Sequence, residues 1–391
     1  MPDKQVNLDP PRLTLNEEGA NAMLPLDGLL VVTLEQAVAG PMCTVRLADA
    51  GARVIKIERP GGETARHYDS VARGTSAYFA WLNRGKESCE MNIKEAGDRA
   101  LLERMVAKAD VFVRNIAPGA AARLDLDAQE LARKYPRLIC VDIFGYDQGT
   151  DYAKRLAYDM LIQAESGICA VTGTADEPVK VGVSMADITT GQNAYSAVLE
   201  ALIERGITGR GKAIEIAMFD GIADMMCVPL LHYDFAGRET PRMGLAHSVI
   251  APYGKVRCSD GDVVIVCQQH NEWVRFCTGV LEMPDLVEDA RFATNADRVA
   301  NTPELFDIIA GVFGKLPRGE AIARLDAHRL PWANVSTVAD LSKHPALRKI
   351  SVETPGGDIE VTASPLRDDI ASRPVPSLGA HTTAIRREFQ P

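Results

Sequence analysis

Over the first two-thirds of the chain, short apolar runs alternate with amphipathic stretches, and the hydrophobic period switches between two and about 3.6. GLLVVTL (28–34) predicts a strand. A loop, EQAVAGP, follows, and then a helical pattern from Met42 to Ala50 that Gly51 ends as a C′ glycine. ARVIKIE (52–58) predicts a second strand, which makes a βαβ unit with parallel strands and a right-handed crossover. The pattern repeats. A helix over 98–108 precedes DVFVRN (110–115), and one over 127–134 precedes LICVDIFG (138–145). A long helix beginning near Asp187 precedes AIEIAM (213–218), with another helix from Asp220. Strands alternating with helices predict the α/β class, with an open, doubly wound parallel sheet of Rossmann-like type.

From about Thr240 the pattern changes. APYGKVRCSDGDVVIVCQ predicts a hairpin turning at Ser259-Asp260-Gly261, and a helical region runs on to about Leu330. ETPGGDIEVTASPLR is strand-and-turn material. A chain of 391 residues exceeds the size at which one core keeps growing. The expected division is a polar N-terminal arm (1–24), a large α/β domain (25–225), a smaller α+β domain (226–330) and a C-terminal segment (331–391) returning to the large one.

Composition narrows the function classes. Apolar residues make up 46% and charged residues 25%, ordinary for a folded soluble chain. The formal charge of -10 is a poor match to a nucleic-acid partner, but it does not exclude an anionic ligand bound by a local cluster of donors. No run is long enough to span a bilayer, and the N-terminal stretch lacks the apolar segment of a signal peptide. The eight cysteines form no Cys-x-x-Cys pair and sit mostly in apolar runs, which points to buried thiols, no metal site and a reducing, cytoplasmic setting.

The first βα loop (35–41) lacks Gly-x-Gly-x-x-Gly, so a dinucleotide site of the usual kind is not expected; Gly40-Pro41 reads as a helix start with Pro at N1. Basic segments are predicted at the carboxyl ends of strands: Lys56-Ile-Glu-Arg59, Asn83-Arg-Gly-Lys86 and Arg114-Asn115. That edge is where ligands bind in such sheets, and a ligand with several phosphates uses scattered donors of this kind. Asp187 stands at a predicted helix start, where a carboxylate serves as an N-cap or, facing a crevice, as a nucleophile; spacing does not choose between these. His67, His247 and His270 are scattered and form no triad with a nucleophile elbow.

Five ordered segments resemble class III CoA-transferases, the formyl-CoA transferase and carnitine CoA-transferase family: 39–62, 81–88, 109–126, 157–173 and 186–220. The resemblance implies an enzyme that passes CoA between carboxylic acids, with a large doubly wound domain, a small domain and two interlocked copies. It implies no permanently bound cofactor, since a CoA thioester is a substrate. By position, the nucleophilic aspartate falls on Asp187, and CoA contacts fall on Val38, Ala39, Arg59, Leu82, Asn83, Lys86, Asn115, Ile116, Arg123 and Met218. Tyr158 and Asp159 fall in the active-site segment on the substrate side, with Gln36 beside it. Acyl-CoA racemases of the same family carry a histidine where Tyr158 stands, so transfer is favoured over epimerisation; a CoA-binding non-catalytic subunit is the further alternative. Val38 stands where formyl-CoA transferase has glutamine, and 241–254 has no clear glycine-rich closing loop, which points away from formate and oxalate. The wording of LEQAVAGP and WLNRGKES is closer to members acting on dicarboxylates such as succinate, itaconate, malate, mesaconate or glutarate, with succinyl-CoA as donor. Arg73 is the candidate cation for a distal carboxylate.

Overall fold

A computed structural model describes residues 23–116, 119, 124, 126–366 and 373–391. Arg123 and most of the 1–24 arm therefore lie outside the described residues. Six strands, β1 (Leu30–Leu34), β2 (Arg53–Glu58), β3 (Lys86–Glu90), β4 (Val111–Arg114), β5 (Ile139–Phe144) and β6 (Ala213–Ala217), form one sheet. Its order is β3-β2-β1-β4-β5-β6, and every pairing is parallel. The order reverses between β1 and β4, and the carboxyl ends of the strands at such a reversal are where open α/β sheets have their ligand crevice.

Side-chain alternation along the strands fixes what covers each face. Val31, Val54, Val111 and Val113 point to one side and pack under the helices α1 (Ala39–Asp49) and, further along the chain, Met185–Thr208. Val32, Ile55, Ile57, Cys89 and Phe112 point to the other, against the helix Ala96–Lys108 and against Ile385 and Phe389 near the C-terminus. Among the described residues up to 236 the α-helices in chain order are α1, α2 (Ala77–Leu82), α3 (Ala96–Lys108), α4 (Ala128–Lys134), α5 (Asp159–Glu165), α6 (Ile168–Val171), α7 (Met185–Thr208), α8 (Met218–Met225) and α9 (Cys227–Ala236). β3 went unpredicted because its sequence, KESCE, is mostly polar; Lys86 and Ser88 face an internal ionic layer rather than water.

Beyond α9, β7 (Tyr253–Arg257), β8 (Asp262–Val266) and β9 (Trp332–Ala333) make an antiparallel sheet over a separate core holding Trp273, Phe276, Phe292 and Phe313. β9 carries that sheet past residue 330. A hairpin of β10 (Lys349–Thr354) and β11 (Gly357–Thr362) packs Val352 onto Phe79 of α2. Among the described residues no helix is long and apolar enough to cross a membrane. Six cysteines are buried, Cys169 is half-buried and Cys227 is exposed; burial pushes the thiols of Cys140, Cys267 and Cys277 up to about 12.

Candidate active site at the sheet reversal

The crevice is built by two helix starts. α1 begins at Ala39, so Pro41 is its third residue rather than its first, which the missing N–H of the opening turn tolerates equally well. α7 packs along α1 because Gly191 lets the two backbones meet: a Cβ there would come within 2.5 Å of the Ala39 carbonyl oxygen and of Met42 Cβ. Ile188 adds a contact to the cluster of Val38, Met42, Val45 and Leu82. Asp187 lies one turn before Gly191, on the same side of α7 and so next to the start of α1.

Asp187 is not the N-cap. That position belongs to Ser184, whose side chain makes no capping bond, and Asp187 is the third helical residue. The cap comes from elsewhere: Asp159 Oδ1, at the start of α5, accepts from Ala186 N at 2.8 Å and from Asp187 N at 3.4 Å. Its Oδ2 accepts from Gln163 Nε2 at 2.8 Å. A helix start should favour the Asp187 anion. Here burial first, and the neighbouring Asp159 charge second, push its carboxyl up to about 7. Tyr68 stands close enough that Glu63, Asp187 and Tyr158, after burial, all act to raise its phenol; its ring meets Tyr78 edge-on at 5.7 Å.

The loop from β1 into α1 is clamped from two sides. Asn115, just past β4, accepts from Gln36 N and donates to Gln36 O, both at 2.8 Å. Glu63 Oε2 accepts from Ala37 N at 2.7 Å. Among the described residues the N–H groups of Val38, Ala39 and Gly40 meet no acceptor. Three donors are thus left open at a helix start beside Asp187, an arrangement suited to negative charge.

Beneath the loop lies a wholly buried ionic layer. Lys86 Nζ donates to Glu35 Oε1 at 2.6 Å, Asn83 Oδ1 at 3.1 Å and Pro41 O at 3.3 Å, which uses all three of its hydrogens. Lys56 Nζ bridges Glu63 at 2.7 Å and Glu35 at 3.4 Å. Burial alone would raise Glu35; Lys86 and Lys56 instead hold it ionised, down to about 2. Burial lowers Lys86 to about 8, so it stays cationic at neutral pH. Arg114 pairs with Asp142.

The three basic segments are therefore not all free donors at strand ends. Lys56 lies within β2, Lys86 opens β3, and both are enclosed and paired, as is Arg114. Asn83 is buried, donating to Phe79 O, and Leu82 is buried in the apolar cluster. Arg59 remains exposed, donating to Gly62 O at 2.9 Å. Val38 and Ala39 are buried, so only their backbones face the crevice. Ile116 is half-buried, and Met218 opens α8 at the carboxyl end of β6. Tyr158 is 73% exposed. Arg73 lies against the turn of β10 and β11, with Gly356 over its carbonyl. Glu35, Glu63 and Tyr68 join this region although their sequence context assigns them no role. The sequence signal is polar residues at alternate positions along a strand, Thr33-Glu35 and Lys56-Glu58, which marks Glu35 but neither Glu63 nor Tyr68. Among the described residues no group of His, Cys, Asp or Glu is arranged to hold a metal ion.

The family described as CoA-transferase family III matches residues 26–382. An acetyl-CoA:oxalate CoA-transferase of Acetobacter aceti is 35% identical over 93% of this chain and 96% of its own. A succinyl-CoA:glutarate CoA-transferase of Mus musculus is 31% identical over 95% of this chain and 88% of its own. Among solved structures, a CAIB/BAIF family protein from Brucella suis superposes with a TM-score of 0.80 at 36% identity, covering 94% of this chain and 100% of its own. The match spans both helix starts of the crevice, the aspartate between them and the small sheet, and the chain belongs to CoA-transferase family III.

Proposed function

We propose that this CoA-transferase works through Asp187 as a covalent nucleophile, moving CoA from succinyl-CoA or a similar acyl-CoA to a small dicarboxylate. The observation that carries the reading is Asp187 on the first turn of α7, beside the uncapped N–H groups that open α1. An Asp187 carboxylate oxygen attacks the thioester carbonyl, and the CoA thiolate leaves. The thiolate then attacks the aspartyl carbonyl of the mixed anhydride, releasing the donor carboxylate and leaving an aspartyl-CoA thioester. The acceptor carboxylate attacks that thioester and expels the thiolate again. The thiolate attacks the acceptor's carbonyl in the new anhydride, giving the product thioester and free Asp187. The open N–H groups of Val38, Ala39 and Gly40 are the candidate oxyanion donors, a role commonly worth about 3 kcal/mol each.

Dicarboxylate acceptors are favoured by the relatives named for oxalate and glutarate, which share two carboxylates. Arg59, Asn115, Met218 and the backbone at Val38–Ala39 are the proposed CoA contacts; Lys86 and Asn83 act from below the loop. Tyr158 and Arg73 are carried as substrate-side candidates. A homodimer is proposed because α9 has no buried residue although it exposes Val228, Leu230, Leu231 and Phe235. Sedimentation reads that directly, and a monomer would refute it.

The test of mechanism is incubation with succinyl-CoA and a panel of dicarboxylates, with hydroxylamine trapping of the enzyme-CoA thioester. Full CoA exchange by Asp187→Ala would overturn the mechanism. Deuterium uptake at the α-carbon without an acceptor acid would indicate epimerisation instead.

A further inference from the structure

Resting on the reading of Asp187 as nucleophile, we infer that Glu63 is a positioning residue that clamps Ala37 in a left-handed backbone conformation and thereby aims the open N–H groups of α1 at the reacting centre. Ala37 has φ +60°, a region that residues with a Cβ enter at a cost. A non-glycine residue stays there only when its surroundings over-determine it, and such positions cluster at functional sites. The surroundings here are specific. Glu63 Oε2 takes the Ala37 N–H at 2.7 Å, and Asn115 holds both backbone groups of Gln36 at 2.8 Å.

Glu63 is itself fixed. Its Oε1 accepts from Lys56 at 2.7 Å inside the buried layer, and its side chain also accepts from Ala65 N at 3.4 Å, the start of the short helix Thr64–His67. Tyr68 follows that helix directly and senses the Asp187 charge. One carboxylate therefore joins the loop that leads into α1 to the short helix that leads to Tyr68. Immediately after Ala37 come Val38, Ala39 and Gly40, whose N–H groups are open. Their direction depends on the backbone turn at Ala37, because nothing among the described residues holds them from in front.

Glu63→Gln separates this role from simple stability. The amide has one acceptor oxygen, where the carboxylate serves Lys56 on one side and the N–H groups of Ala37 and Ala65 on the other. The ammonium takes it, and the Ala37 N–H is left facing an NH2 group. The expected result is a fall in kcat of about 10- to 100-fold, with the acyl-CoA KM within about twofold of wild type. Glycine enters φ +60° without strain, so it needs the clamp less. In an Ala37→Gly background the loss caused by Glu63→Gln should shrink to about threefold or less, a coupling that a double-mutant cycle measures. An equal loss in both backgrounds, an unchanged kcat, or an effect confined to KM would each overturn the assignment. Should Glu63→Gln not fold, Ala37→Val keeps the clamp and penalises the backbone; it should lower kcat, and wild-type kcat would overturn the assignment. Asp187→Ala, assayed alongside by thioester trapping, tests the nucleophile separately. If it is inactive while the cycle shows no coupling, the positioning role falls and the mechanism stands.

Discussion

Asp187→Asn should make the protein more stable at alkaline pH while abolishing CoA transfer. The Asp187 carboxyl is held at about 7 in the fold against an ordinary 3.8, by burial first and Asp159 second. Above pH 7 both folded and unfolded chains carry the anion, and the folded chain carries it at a cost. The difference corresponds to about 4 kcal/mol at about 1.4 kcal/mol per tenfold in proton affinity. The side chain is only partly enclosed, so solvent screening brings this to about 2 kcal/mol. As pH falls through 7 the folded wild type binds a proton that the unfolded chain does not, and its stability recovers until about pH 3.8. Asparagine has the same shape and no titration. Its advantage should be greatest at pH 8–9 and vanish toward pH 4. Urea midpoints measured at each pH for both proteins check this; for an m-value of about 3 kcal/mol/M the separation at pH 8.5 is roughly 0.7 M. Other titrating groups are common to both proteins and cancel. A separation that stays constant from pH 5 to pH 9 would refute the argument that Asp187 is kept in a site hostile to its charge.

The same balance sets the pH dependence of activity. In the proposed mechanism attack requires the anion, so kcat/KM for the acyl-CoA should rise with pH through about 7. Asp159→Asn keeps an acceptor for Ala186 N and removes the like charge, so that limb should move to lower pH; an unmoved limb would mean Asp159 acts only as a cap. Lys86→Met leaves Glu35 buried with the weaker Lys56 contact and should cost about 3–5 kcal/mol, read by denaturant unfolding. Gly191→Ala forces a Cβ to within 2.5 Å of the Ala39 carbonyl oxygen; overpacking should cost about 1–3 kcal/mol and lower kcat, read by thermal melting and steady-state assay.

The βαβ rhythm of the large sheet was legible because apolar residues on both faces give nearly continuous runs, as in GLLVVTL and LICVDIFG. β3 was not, since Lys86 and Ser88 point into an ionic layer and make KESCE look like surface. The same layer explains why the basic segments suggested phosphate donors. A lysine in a strand looks free until its partners are known, and those partners, Glu35 and Glu63, come from other elements. Asp187 was legible as a residue near a helix start but not as a strained acid. Its neighbour Asp159 lies 28 positions earlier and meets it only through the packing of α5 on α7.

The ionic layer also accounts for how this sheet does without a glycine fingerprint. In a dinucleotide site, glycines leave room for pyrophosphate to reach the helix start. Here Gly40 leaves room for the protein itself: a Cβ would come within 2.9 Å of Glu35 Cβ and 3.1 Å of Asn115 Cγ. Glu35, held by Lys86 and Lys56, and Asn115, bound to Gln36, fill the space beneath and beside the loop and fix its path. The acids nearest the loop are neutralised by buried lysines, so a chain of net charge -10 still offers unopposed N–H groups at the reversal of its sheet. Ion pairs do here what backbone freedom does in a glycine-rich loop. The difference has a chemical consequence: a loop tightened from below presents donors in a fixed direction, which suits the oxyanion that the proposed mechanism forms and collapses repeatedly at one place beside Asp187.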